Sequence, residues 1–70
     1  MKKIIILIPV FNDWESLIKL INEISENIKE YKSIDFECLV VNDASTILQP
    51  QIIKPNNIKS LQILNMKQNR

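Results

Sequence analysis

Residues 3–8 read Lys-Ile-Ile-Ile-Leu-Ile, and the apolar run from Ile4 onward offers no alternating face to water. A strand with one wet face alternates apolar and polar residues. An unbroken β-branched run is instead the pattern of a strand covered on both sides, as in the parallel sheets of α/β proteins. Parallel strands need a long crossover between them, usually a helix, and the next segment supplies one. Trp14, Leu17, Ile18, Ile21, Ile24, Ile28 and Tyr31 recur at helical spacing. Asn12 and Glu15 stand in the spacing of a capping box, and Glu15 and Lys19 form an i, i+4 pair. Asp13 and Glu15 at the start, with Lys29 and Lys32 at the end, complement the helix dipole. The pattern predicts a helix over 13–31. Strand one should end at Pro9, Phe36–Val41 reads as strand two, and Leu61–Leu64 as strand three. Between them, residues 47–58 contain Pro50, Pro55 and Asn56-Asn57 and read as a loop holding at most one helical turn. The first two strands should be parallel neighbours, with the helix packed across them through Leu17, Ile21, Ile24 and Ile28.

Composition narrows the possible functions. With 46% hydrophobic and 24% charged residues the chain has the balance of a folded protein. The net charge is +1 and the nine Lys and Arg are scattered, so no basic face invites nucleic acid. Lys2-Lys3 ahead of IIILIPVF resembles the start of a signal peptide. That run, however, is eight residues long, contains Pro9 and leads into Asn-Asp-Trp-Glu rather than small residues. No stretch approaches the roughly 20 apolar residues of a membrane span. The single Cys38 has no internal disulfide partner and sits in an apolar strand pattern, the place of a small core residue. The absence of His removes His-based acid–base chemistry and the usual zinc site. The absence of Gly removes both the Walker A loop and the dinucleotide fingerprint, which need glycine where backbone approaches phosphate.

The second strand stops abruptly in FECLVVNDAST, residues 36–46. Asn42-Asp43 there either opens a turn through its own backbone or presents a carboxylate to a ligand, since α/β folds bind ligands beyond the carboxyl ends of their strands. A parallel pairing sets Pro9–Asp13 beside Asn42–Thr46, so two polar loops converge on one rim.

At this point a resemblance becomes specific. I-L-I-P-V-F-N-D (6–13), followed about 30 residues later by L-V-V-N-D-A-S-T (39–46), resembles the opening of family 2 glycosyltransferases. Their first strand ends in P-x-Y-N-E and their second in V-D-D-G-S. The closing L-N-M-K-Q-N-R (64–70) is similar to the family's third strand and its Asn-Arg. The resemblance implies an α/β fold of three layers around a mainly parallel sheet, the GT-A (Rossmann-like) type, of which residues 1–70 hold the first βαβ unit and a third strand. It also implies a nucleotide-sugar donor (UDP-, GDP- or dTDP-sugar) and a hydroxyl acceptor such as a lipid or glycan, the chemistry of a hexosyltransferase.

Carried over by position, Pro9, Val10 and Phe11 line the nucleobase pocket. Asp13, where the family has Glu, contacts base or ribose. Val41 offers backbone to the base, Asp43 accepts a hydrogen bond from the nucleoside, and the Asn42 amide oxygen, in place of an acid, can accept another. An aromatic ring gives a base a flat contact and a carboxylate accepts its N–H groups. Ala44 stands where the family has Gly, which argues against an obligatory positive φ there, and Ile47 stands near a common further Asp.

Each residue also has a plainer role. Asn12 suits a helix cap, Phe11 and Trp14 a core, Asp43, Ser45 and Thr46 a turn, and Asp35 and Glu37 a solvated edge. The family's Asp-x-Asp, which holds Mn²⁺ or Mg²⁺ on the donor diphosphate, does not occur in this sequence, and neither does a general base. The expectation is therefore an N-terminal nucleotide-binding part whose partner is the missing C-terminal half of the same domain, with no cofactor of its own and inactive alone. It is expected in the cytoplasm or at the membrane surface, without a membrane span, and prone to aggregate through bare sheet. The contrasting possibility is a receiver-like regulatory module with Asp43 as phospho-acceptor.

Overall fold

The computed structural model describes residues 2–66, so Asn69-Arg70 of the third motif lie outside the described residues. Its elements are β1 (Lys2–Val10), α1 (Trp14–Asn27), β2 (Ile34–Asp43) and β3 (Ser60–Met66). The sheet runs β1-β2-β3 with both pairings parallel. This is the α/β arrangement that the strand–helix–strand pattern required. Two of the three expected layers lie within the described residues, a sheet and the helix on one of its faces.

Register decides which residues share a face. Ile6 pairs with Cys38 and Ile8 with Val40, and Cys38 and Val40 pair onward with Leu61 and Ile63. These rows form the covered face, because successive side chains on a strand point to opposite sides. Trp14, Leu17 and Ile21 of α1 close over it, with Ile24 and Ile28 partly buried against the same cluster. The helix thus packs through the residues its periodicity selected. Cys38 is buried in this cluster, and burial pushes its thiol pKa up. It is expected to resist thiol reagents until the chain unfolds; rapid labelling of the native chain with a disulfide reagent would contradict this placement.

The ends of the elements differ from expectation. Pro9 does not end strand one. It pairs with Val41, and β1 runs on to Val10, because β1 lies at the sheet edge, where proline's missing N–H is tolerated. The helix is shorter than 13–31. Asn27 turns its amide back to the Glu23 carbonyl at 2.8 Å, and the backbone leaves through successive short turns, Tyr31 N–H to Ile28 O and Ile34 N–H to Tyr31 O. Lys29 and Lys32 therefore lie beyond the helix, and its last turn carries no basic residue. Lys29 pairs instead with Glu26 at 2.9 Å. Tyr31 leaves the helical stripe to meet Phe36 edge-on, with ring centroids 6.4 Å apart. The loop before β3 contains no helix; it makes a single hydrogen-bonded turn at Asn56-Asn57, closed by Ile58 N–H to Pro55 O at 3.2 Å.

The second sheet face is bare. Ile5, Leu7, Leu64 and Met66 are exposed on it, beside the half-buried Leu39 and Val41. At its polar end Lys3 pairs with Glu37 at 3.3 Å and Lys59 with Asp35 at 3.2 Å. An apolar face of this kind drives association. Leu7→Lys is expected to reduce concentration-dependent aggregation without disturbing the helix face. Unchanged sedimentation behaviour would show that this face is not the one that associates.

Candidate functional site

The parallel register brings the two strand ends together: Pro9 pairs with Val41 and Val10 with Asn42. β3 extends the rim, with Asn65 beside Asn42 and Met66 beside Asp43. Beyond it stand two loops, residues 11–13 from the first strand and 44–47 from the second.

The seven sequence-selected residues do not all face the same way. Phe11 is 57% exposed, so it is not a core residue, and Pro9, Asp13 and Asp43 are exposed with it. Val10 points the other way and is buried in the core at 6% exposure, leaving only its backbone for the rim. Val41 is half-buried. A hollow of about 160 Å³ gathers Pro9, Val10, Phe11 and Asp13 against the first turns of α1, without Asp43. Ligand pockets usually enclose about 300–1,000 Å³, so this hollow is smaller than a pocket that encloses a ligand by itself. Larger hollows, about 330 and 590 Å³, lie at the opposite end of the sheet around Lys29, Lys32, Asn56 and Asn57. The first of them is also lined by Tyr31, Phe36 and Asp35, whereas the second holds lysines, amides and Ser25.

Hydrogen bonding separates the roles of the polar residues. The N-cap of α1 is Asp13, whose Oδ1 accepts from Ser16 N–H at 3.2 Å; the capping box from Asn12 to Glu15 does not form. Asn12 adopts a left-handed backbone, φ 63°, and reaches across to the other loop. Its Oδ1 accepts from Thr46 N–H at 2.8 Å and from Ile47 N–H at 2.9 Å. Its Nδ2 lies 3.2 Å from Thr46 Oγ1, and its backbone N–H donates to Ser45 Oγ at 2.8 Å. Trp14 adds a tie from the helix, its indole N–H donating to Ile47 O at 3.1 Å. Ile47, at the position of a common family acid, thus serves the loop through its backbone.

Asn42 opens the turn. Its Oδ1 accepts from Ser45 N–H at 3.1 Å and its Nδ2 donates to Asn65 Oδ1 at 2.9 Å. Asp43 plays no comparable part, since among the described residues its carboxylate has neither a hydrogen-bond nor an ion-pair partner. Ala44 follows with φ 56°, contrary to the expectation drawn from its being alanine. The bond that spans it is Ser45 N–H to Asn42 Oδ1, while Ala44 N–H to Asn42 O at 3.0 Å closes the backbone around Asp43 just before it. A left-handed L-residue costs roughly 1–2 kcal/mol, whereas glycine's greater unfolded-state freedom costs roughly 0.5–1 kcal/mol. Ala44→Gly is therefore expected to leave stability unchanged or raise it by up to about 1 kcal/mol. A clear loss in a thermal melt would show that this turn does not need the left-handed conformation.

Among the described residues no three His, Cys, Asp or Glu side chains stand close enough together to hold an ion.

The fold is that of an α/β protein, and beyond its parallel strand ends, where ligands of such folds usually bind, stand an aromatic ring and a carboxylate without a partner among the described residues. The family model for glycosyl transferase family 2 matches residues 5–70, and the chain belongs to that family. No curated protein and no solved structure matches it. Among the described residues no helix is long and apolar enough to cross a membrane.

Proposed function

We propose that the chain is the nucleotide-sugar-binding portion of a glycosyltransferase that moves a sugar from a nucleotide-sugar to a hydroxyl acceptor such as a lipid or glycan. One observation carries this reading. Asn42 performs the turn that Asp43 was equally suited to perform, and Asp43 stands at the strand end without a side-chain partner among the described residues. A chain that needed only a turn has no use for the second polar residue. Phe11, exposed across the same rim, suits the flat face of a nucleobase. Family membership favours this reading over a receiver-like module.

In this reading residues 1–70 are the N-terminal part of a larger GT-A domain in the cytoplasm or at the membrane surface. The remaining part covers the bare sheet face and brings the metal ligands, Mn²⁺ or Mg²⁺, and the general base. The chain alone then binds nucleotide without turnover.

Calorimetric titration with UDP, GDP and dTDP tests the proposal. One of them is expected to saturate a single site, and release of sugar from its nucleotide-sugar is expected to be absent. Failure of all three to bind, or turnover by this chain, would overturn the reading.

A further inference from the structure

Asn12 has no part in the contacts assigned above, yet its backbone N–H and both ends of its amide cross to the opposite loop, 33–35 positions away in the chain. Neither loop has regular structure or a glycine to set its path. Their separation is therefore fixed by what ties them to one another. The tie from Trp14 reaches Ile47 from inside the helix, whereas Asn12 sits between Phe11 and Asp13, the two residues that must be held. The left-handed conformation at Asn12, which Asn tolerates better than most residues, goes with an amide engaged by two backbone N–H groups of the other loop.

We propose that Asn12 is a positioning residue: it locks the loop after β1 to the loop after β2 and so sets the gap between Phe11 and Asp13 on one side and Asp43 on the other. The ligand that spans this gap is a nucleoside diphosphate, and in that respect the inference rests on the nucleotide-binding reading above. The physical basis is preorganisation. Loops that are already cross-tied do not have to be ordered when the ligand arrives, and that ordering would otherwise weaken binding. The residue acts through Phe11, Asp13 and Asp43 and needs no contact with the ligand itself.

Three variants of the full chain separate this role from a merely structural one. Asn12→Gly keeps the left-handed backbone and deletes the amide. Asn12→Asp keeps the backbone preference and an oxygen that accepts from Thr46 and Ile47. The double variant Ser45→Ala/Thr46→Val removes both hydroxyl partners while leaving Asn12 in place. Ile21→Val, a core change distant from the rim in the chain, controls for lost stability. Each is read by hydrogen exchange at the Thr46 and Ile47 amides and by titration with UDP, GDP and dTDP.

Asn12→Gly is expected to lose about tenfold or more in both amide protection and nucleotide affinity, Asn12→Asp to stay within about threefold, and the double variant to lose about threefold or more in affinity. Ile21→Val should leave affinity unchanged. A wild-type chain that binds nucleotide with Asn12→Gly binding it equally well overturns the proposal alone. So does an affinity loss in Ile21→Val that matches the loss in Asn12→Gly. If Asn12→Gly fails to fold, the double variant decides, and unchanged affinity there overturns the proposal. A wild-type chain that binds none of the three nucleotides overturns the nucleotide reading itself and the positioning role with it.

Discussion

Replacing Ile58 with alanine is expected to destabilise the fold by about 2–5 kcal/mol, the range for truncating a fully buried isoleucine. At roughly 0.05–0.15 kcal/mol per residue, the whole stability of a chain this long is roughly 3.5–10.5 kcal/mol, so the loss is a large share of it. Ile58 is fully buried and belongs to the same cluster as Val40, Cys38 and Ile21. The backbone around it is tied on both sides. Ile58 N–H donates to Pro55 O at 3.2 Å, and Lys59 N–H to Phe36 O at 2.7 Å. Lys54 Nζ donates to the Ile58 carbonyl at 2.6 Å. One side chain thereby anchors the long connection between β2 and β3 to the sheet. Urea melts of Ile58→Ala beside Ile53→Ala, whose side chain is 78% exposed, measure the difference. The exposed-site variant should stay within about 0.5 kcal/mol of the parent. A loss below about 1 kcal/mol at Ile58, well short of the buried-site range, would mean that the loop reseats without it.

Asp43→Ala is expected to act on binding instead. Loss of a charged hydrogen bond weakens nucleotide affinity by about 1–3 kcal/mol, while stability should move by less than about 0.5 kcal/mol, as at exposed sites without partners. The contrast with Asn42 is the reason. Asn42→Ala removes the acceptor of Ser45 N–H and the donor to Asn65, so stability should fall there. Titration with UDP and GDP, paired with thermal melts of both variants, reads the two effects separately. A melting temperature that falls in Asp43→Ala with affinity intact would make Asp43 a turn residue and remove it from the site.

Much of this was legible in the residues. The run at Ile4–Ile8 and the stripe from Trp14 to Ile28 each repeat a local pattern, and burial of such patterns leaves few arrangements beyond a parallel βαβ unit. The strand-end motifs also placed the rim, because a parallel pairing must bring Pro9–Asp13 beside Asn42–Thr46. Side chains at the rim were less legible. Val10 lies in a motif of binding residues but its alternation along β1 turns it into the core, and Asp13 proved to be the helix cap.

What the tertiary structure alone decided are the features that depend on partners far away in the chain. Asn12 could cap a helix or tie two loops, and nothing local distinguishes these roles; the choice falls to Thr46 and Ile47, which only folding brings within 3 Å. Ala44 takes a left-handed turn where the Asn42 amide oxygen accepts from Ser45 N–H across it, overriding the preference of its own Cβ. Ile58 reads no differently from Ile47, Leu48, Ile52 and Ile53 of the same loop until the sheet provides the cavity it fills. Local periodicity determines strands, helix and the shared rim, since burial rewards each pattern independently of the rest. Loop geometry and the division between turn and ligand residues are settled by long-range hydrogen bonds, which no single stretch of sequence contains.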